Sequence, residues 1–318
     1  VINFINVASP QSGLWYAVRR YYEYISRFTM TQWHDIKWDH YTYDMFKNLV
    51  FPETMEDGLT ILGDNRLTPI NSDNQIVVMH DFFKESFLPN RIKRDLNNDL
   101  MKIYKTKIIA VSDYTAELCK QKGLNLIGTL YPYYNAGNFD NSKKYNNVLS
   151  VGSDAKRKRN DIIADFINKL PDNFYAVRIG SPLPKQIKIG HRYLYADKVQ
   201  ESTLRSLYAE SKYLIFPSED EGLGLPMIEA LFHNVVVIAN EKNPILKEFN
   251  YPKIIVPEKE GDFYIPEYPD IEEFEKFKQD YRQKIAEQYL KIAKYLDLPD
   301  DTSEVSEAFH STDQVSTS

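Results

Sequence analysis

The sequence predicts an α/β protein of two domains, each built on a parallel sheet. Short β-rich apolar runs recur between stretches of helical spacing, which is the alternation that parallel sheets require. Several runs, such as Gln75 to Met79 and Val235 to Ala239, are apolar almost throughout, as strands covered on both faces tend to be. With 318 residues the chain also has room for two domains of about 150 residues each. Proline, glycine and two asparagines between Tyr131 and Asn138 interrupt the alternation, so the first domain is expected over 1–140 and the second over 141–265. A helix at 266–296 and a disordered tail at 297–318, rich in Ser, Thr, Asp and Glu, complete the expected organisation.

Taken in order, Val1 to Val7 alternates as a strand. Ala8 to Gly13 breaks that pattern ahead of a helix carrying Leu14, Val18, Tyr22 and Ile25 on one face. Ile36 to Tyr43 is expected as a second strand, and Phe51 to Asn74 gives mixed turn signals that suggest no order of elements. The strand Gln75 to Met79 ends at His80 and Asp81. Polar residues at the carboxyl end of a strand stand where open α/β sheets take their ligands. Arg91 to Tyr104 reads as a helix and Lys107 to Val111 as the next strand, after which Ser112 is placed to cap a helix through Cys119. Asn125 to Leu130 is the last strand expected in this domain.

The second series opens with a strand at Asn147 to Gly152, followed by four successive basic residues, Lys156 to Arg159, and a helix from Asp161 to Leu170. Four adjacent cations are costly if mutually buried, so they are either solvated, the default for a charge run, or matched to an anion. Further strands are expected at Phe174 to Gly180, His191 to Ala196, Tyr213 to Phe216, Val235 to Ala239 and Lys253 to Val256, with a helix at Ser202 to Ser211. Ile271, Phe274, Phe277, Tyr281, Ile285 and Ile292 mark one face of the final helix.

The chemistry concentrates in the stretch from Phe216 to Leu231. Gly222 and Gly224 allow a tight turn or a close approach to a ligand. Pro226 suits the first turn of a helix, whose free amides and positive dipole end favour a phosphate. Glu221 and Glu229, with seven residues between them, can both face the crevice beyond the strand, and carboxylates suit the vicinal hydroxyls of a sugar or ribose. Taken singly, Glu229 is equally explained as a complement to the helix dipole and Glu219 to Glu221 as a solvated acidic turn. A phosphate cradle between two hydroxyl-binding carboxylates is what a nucleotide sugar needs.

The run Pro217-Ser218-x-x-Glu221-Gly222-Leu223-Gly224-Leu225-Pro226-x-x-Glu229-Ala230 resembles the signature of retaining GT-B glycosyltransferases, in particular the large family numbered four. The resemblance implies two Rossmann-like domains facing a cleft, with the C-terminal helix crossing back to the first. It implies transfer of a sugar from a nucleoside-diphosphate sugar to an acceptor hydroxyl with retention of configuration. On this resemblance Lys158 faces the donor diphosphate, helped by Arg157 or Arg159, Glu221 holds donor-sugar hydroxyls and Glu229 the ribose. The backbone of Gly222, Leu223, Gly224 and Leu225 would cradle phosphate, Val199 would meet the nucleobase and Gly13 would approach the donor. His80 would lie near the reacting sugar, with Asp81 a weaker candidate for the acceptor. Two departures stand out. Ser153 occupies a position where arginine is common, and Asn234 one where glycine is usual.

Composition narrows the remaining classes. A net charge of −6 gives no general attraction to nucleic acid or anionic lipid. No apolar run approaches the roughly 18 residues of a membrane span. The first residues lack the pattern of a signal peptide, which predicts a cytoplasmic protein, with peripheral attachment to a membrane still open. The lone Cys119 is expected as a packed side chain rather than a nucleophile. No Asp-x-Asp motif and no close His or Cys group suggests a metal, so neither metal nor cofactor is expected beyond the donor substrate itself. The acceptor, whether carbohydrate, lipid-linked or protein, is not legible. Two rival functions are a non-catalytic sugar-nucleotide-binding module and a DNA-modifying glycosyltransferase, the latter disfavoured by the charge.

Overall fold

The computed structural model describes residues 1–6, 13–35, 59–63, 75–80, 106–255, 265, 268–296 and 298. They fall into two compact units, Val1–Tyr133 with Arg282–Ser318, and Tyr134–Tyr281.

The first unit carries strands β1 (Ile2–Asn6), β2 (Thr31–Asp35), β3 (Leu59–Leu62), β4 (Gln75–Met79), β5 (Lys107–Ala110) and β6 (Leu126–Thr129). They form one sheet of order β2-β1-β3-β4-β5-β6, parallel throughout. Helix α1 (Gly13–Ile25) follows β1, and α2 (Asp113–Gln121) follows β5. The Ser112 hydroxyl accepts the Thr115 amide at 3.0 Å, which supplies the expected cap of α2. Cys119 is buried on that helix.

The expected strand at 36–43 and the helix at 91–104 lie outside the described residues, as does most of the tail. Two strands escaped the sequence reading. β2, Thr-Gln-Trp-His-Asp, sits at the sheet edge, where no continuous apolar run is needed. β3 is only four residues long and lies among turn signals.

The second unit carries β7 (Tyr145–Gly152), α3 (Asn160–Asn168), β8 (Tyr175–Gly180), β9 (Tyr193–Ala196), α4 (Glu201–Glu210), β10 (Ser211–Phe216), α5 (Leu225–Phe232), β11 (Val236–Ala239) and β12 (Lys253–Ile255). Its sheet is again parallel, in the order β12-β11-β10-β7-β8-β9. The central strands are apolar on both faces because helices cover both, and β11 is buried at every position. The chain moves outward from β7 in one direction and from β10 in the other. The point where the strand order reverses therefore lies between these two strands, and their carboxyl ends open the crevice in which such sheets bind ligands.

Helix α6 (Ile271–Leu296) gives its first half to the second unit and its second half to the first. Phe274, Phe277, Tyr281, Ile285, Tyr289, Ile292 and Leu296 are buried at helical spacing, whereas Ile271, expected on that face, is exposed. In the second unit Phe277 meets Phe232, Phe249 and Tyr251. In the first, Tyr289 meets Tyr24 and Phe28.

Candidate functional site

The carboxyl ends of β7 and β10 carry two loops that are clasped together. After β7, Lys156–Lys158 forms a single 3-10 turn, and Arg159 takes a left-handed conformation (φ 51°) at the start of α3. After β10, Ser218 to Glu221 runs alongside it, the Glu219 amide donating to the Arg157 carbonyl at 3.0 Å. Three donors converge on one carboxylate oxygen. Arg157 Nη1 lies 2.6 Å, Lys158 Nζ 2.5 Å and the Ser218 hydroxyl 2.6 Å from Glu221 Oε1. Arg157 also donates to the Asp220 carbonyl, and Arg159 pairs with Glu219 and Asp161.

Of the two alternatives for the basic run, this is the matched one, although the matching anions belong to the protein. Three cations are set against Glu219, Glu221 and Asp161, while Lys156 remains exposed. Burial alone would raise the Glu221 carboxyl. The charges of Lys158 and Arg157, with hydrogen bonds from Lys158 and Ser218, outweigh it and hold the group below its usual range. Glu221 is thus an ionised, nearly buried carboxylate whose Oε1 is taken up by the protein. Among the described residues its Oε2 receives no hydrogen bond.

The glycine loop that follows turns through Gly224 at φ 75°. A Cβ there would lie 2.6 Å from Met227 Cε, the movable end of a flexible side chain, so it is the left-handed angle that calls for glycine. The sequence offered the first helical turn for a phosphate, and the resemblance the backbone from Gly222 to Leu225. In the structure Pro226 has no amide and the Met227 amide is engaged by the Gly224 carbonyl at 2.8 Å. Among the described residues the amides of Leu223, Gly224 and Leu225 have no acceptor. Three successive amides around a left-handed glycine, the last of them on the first residue of α5, make a nest for an anion in the segment that the resemblance named.

Glu229 lies in the second turn of α5, the fifth residue of a helix that begins at Leu225. Its Oε2 accepts the Tyr208 hydroxyl at 3.0 Å and the residue is buried. The far end of α5 is anchored by His233, which stacks on Tyr208 with ring centroids 5.9 Å apart. The Asn141 amide oxygen, 3.1 Å from Nδ1, places the ring proton there and leaves Nε2 to accept the Tyr134 hydroxyl at 2.9 Å. Burial, then the nearby cations Lys144, Arg205 and Lys278, push His233 down to about 3, so it is neutral. Asn234, where glycine is usual, adopts φ 56°. The position needs a left-handed residue, and asparagine supplies one.

The other anticipated residues are placed separately. Val199 lies between β9 and α4, half-buried. Within the first unit, Gly13 opens α1, and His80 follows β4 with Nε2 2.9 Å from the Gly63 carbonyl oxygen. Asp81 lies outside the described residues. Among the described residues no three His, Cys, Asp or Glu side chains gather as a metal site requires, and no helix is long and apolar enough to cross a membrane. Ser218 and Tyr208, which fix the two glutamates, were missed. Ser218 stood inside the quoted motif, whereas nothing local marks Tyr208.

No family model matches the chain. It is 26% identical over 190 residues to the O-antigen chain mannosyltransferase RfbU of Salmonella typhimurium, a match covering 53% of this chain. The chain thus spans about half, 52%, of that curated relative. Among solved structures, HepE of Anabaena in complex with UDP-glucose superposes with a TM-score of 0.61 at 12% identity, covering 98% of this chain and 99% of that one. WaaG, a glycosyltransferase involved in lipopolysaccharide biosynthesis, superposes at 0.57 with 14% identity, covering 98% and 99%. Two parallel α/β units in succession, matched along nearly their whole length to these structures, make this a protein of the glycosyltransferase GT-B fold.

Proposed function

We propose that the protein transfers a sugar from a nucleoside-diphosphate sugar to an acceptor hydroxyl, with retention of configuration and without a metal. One observation carries the reading. At the switch point of the second sheet, Arg157, Lys158 and Ser218 converge on Glu221 beside three amides that have no acceptor among the described residues. A diphosphate seated on the amides of Leu223 to Leu225 would share Lys158 and Arg157 with Glu221. As the bond from the anomeric carbon to the diphosphate breaks, negative charge grows on the leaving oxygen, where Lys158 and the amides stabilise it. The acceptor oxygen bonds the anomeric carbon on the departing face, and its proton passes to a donor phosphate oxygen. The products are the glycoside and a nucleoside diphosphate.

Glu221 keeps Oε2 for the donor-sugar hydroxyls, while Glu229, fixed by Tyr208, holds the ribose. Val199 meets the base, and Arg159 acts through Glu219 on the clasp. On the family resemblance, Gly13 and His80 are further candidates for the donor sugar and Asp81 for the acceptor. The protein carboxylates set against the basic turn argue against duplex DNA as partner, because a DNA phosphate site needs cations that are not already balanced. A cytoplasmic location accords with the use of soluble donors.

Thermal shift with UDP, GDP and ADP tests the reading. A nucleotide that binds only the folded chain should stabilise it by about 2.7 kcal/mol at a hundredfold excess over its Kd. UDP is the first candidate, since HepE was solved with UDP and with UDP-glucose. No shift with any of the three would overturn the donor site. Turnover should survive EDTA, and loss of activity restored by Mg²⁺ or Mn²⁺ would refute the metal-free mechanism. Donor hydrolysis or transfer to free saccharides, lipid-linked saccharides or protein separates an enzyme from a binding module and identifies the acceptor class.

A further inference from the structure

Strand β8 contains one arginine in an otherwise apolar run, Tyr-Ala-Val-Arg-Ile-Gly, and the proposed chemistry does not use it. Arg178 is fully buried. A buried guanidinium is expected to meet a carboxylate, because leaving its charge unmatched costs several kcal/mol. Here every partner is neutral. Nε donates to the Ser181 carbonyl at 2.9 Å, Nη1 to the Ser150 hydroxyl at 2.8 Å and Nη2 to the Gly152 carbonyl at 2.7 Å. Longer contacts of Nη2 reach the Asn160 side-chain oxygen at 3.4 Å and the Ser153 carbonyl at 3.5 Å.

These acceptors share a location. Ser150 and Gly152 end β7, Ser153 opens the loop to the basic turn, and Asn160 begins α3 beyond it. Asn160 also donates to the Ser153 carbonyl at 3.0 Å, so the guanidinium and the amide together brace both ends of the segment that carries Arg157 and Lys158. Gly152 is in direct register with Gly180, and a Cβ on Gly180 would fall 2.1 Å from the Gly152 carbonyl oxygen. The two strand ends meet there with no room for a side chain.

We propose that Arg178 is a positioning residue for the donor diphosphate: it fixes the loop that carries the basic turn and adds a buried, unneutralised positive charge behind it. The inference rests on the donor-site reading above. It also accounts for the serine at position 153, because the cation expected from the loop itself is supplied from the neighbouring strand.

The test compares a nucleoside diphosphate with its own nucleoside. Calorimetry first identifies which of UDP, GDP and ADP the wild-type protein binds best. Arg178→Met should fold, because it removes an unmatched buried charge while Gly152 O keeps the Ser181 amide and Ser153 O keeps Asn160. It should weaken the diphosphate roughly ten- to a hundredfold, the range seen when a group orienting a site's direct ligands is removed from metal centres. Affinity for the nucleoside, measured by competition, should not change, and Arg178→Lys should recover part of the loss. Equal weakening of nucleoside and diphosphate would mark a merely structural role, and no weakening would remove Arg178 from the site. Either result overturns the inference. Should Arg178→Met fail to fold, Asn160→Ala must show the same split, or the proposal fails. If the wild type binds none of the three nucleotides, the donor reading falls first and takes this inference with it.

Discussion

Replacing Lys158 by alanine separates catalysis from stability at the clasp. Lys158 is one of three donors on Glu221 Oε1, and its removal leaves Arg157 at 2.6 Å and Ser218 at 2.6 Å. The carboxylate stays matched, so the loss of stability is that of one hydrogen bond to a charged group, about 1.5–3 kcal/mol at most. Glu221→Ala is different. It strands two partly buried cations beside each other, and breaking a buried pair from one side costs about 3–5 kcal/mol. Lys158→Ala should therefore fold while losing the cation proposed to stabilise the leaving diphosphate. Turnover should fall by about 2.7–4 kcal/mol in barrier, a hundred- to a thousandfold, with the donor KM less affected. Glu229→Ala should show the opposite pattern, a raised donor KM with turnover largely kept, because the ribose that Glu229 is proposed to hold is unchanged by the reaction. Steady-state kinetics with saturating acceptor, after circular dichroism, separates the two. Near-normal turnover in Lys158→Ala would refute the assignment. Arg157 would then be the cation to examine, since Arg159 is held by Glu219 and Asp161.

Two further outcomes test the framework around the site. His233 has its pKa pushed down to about 3 from an ordinary 6.5, so between these values the unfolded chain takes up a proton that the folded chain refuses. Its contribution to stability is complete above pH 6.5 and is lost as the pH falls toward 3. His233→Asn should flatten urea-melt stability between about pH 6.5 and 4.5, above the range in which carboxylates such as Glu221 titrate. An unchanged slope would show that the ring is not buried as a neutral base. Gly180→Ala should lower Tm far more than Gly123→Ala. Both glycines have positive φ, worth about 1–3 kcal/mol in strain, but only at Gly180 would the new methyl strike backbone, whereas Gly123 has open space. Similar losses in the two variants would mean that the Gly152–Gly180 approach is looser than described.

The sequence by itself determined the class of fold and the place of the candidate site. Largely apolar runs mark strands buried on both faces, as parallel helix-covered strands tend to be, so β4, β10 and β11, and the apolar stretches of β7 and β8, were legible from composition. The Ser218 to Glu229 signature located the ligand end of β10, and the strand-ending Gly152 located that of β7. Elements that owe little to burial escaped. β2 is a polar edge strand and β3 a short one, and their pairing partners lie far along the chain. Only the tertiary structure decided how the charges are spent. The basic run gave four cations with no sign of their counterions, because Glu219 and Glu221 lie some sixty residues later and meet them only once β7 and β10 become neighbours. The fold also gave each glutamate its anchor, Ser218 locally and Tyr208 from another helix. Arg178 marks the limit of reading along the chain. In one dimension it is an anomaly in an apolar strand, and in three it joins the ends of β7, β8 and α3, because parallel strands gather at one edge the residues that sequence keeps apart.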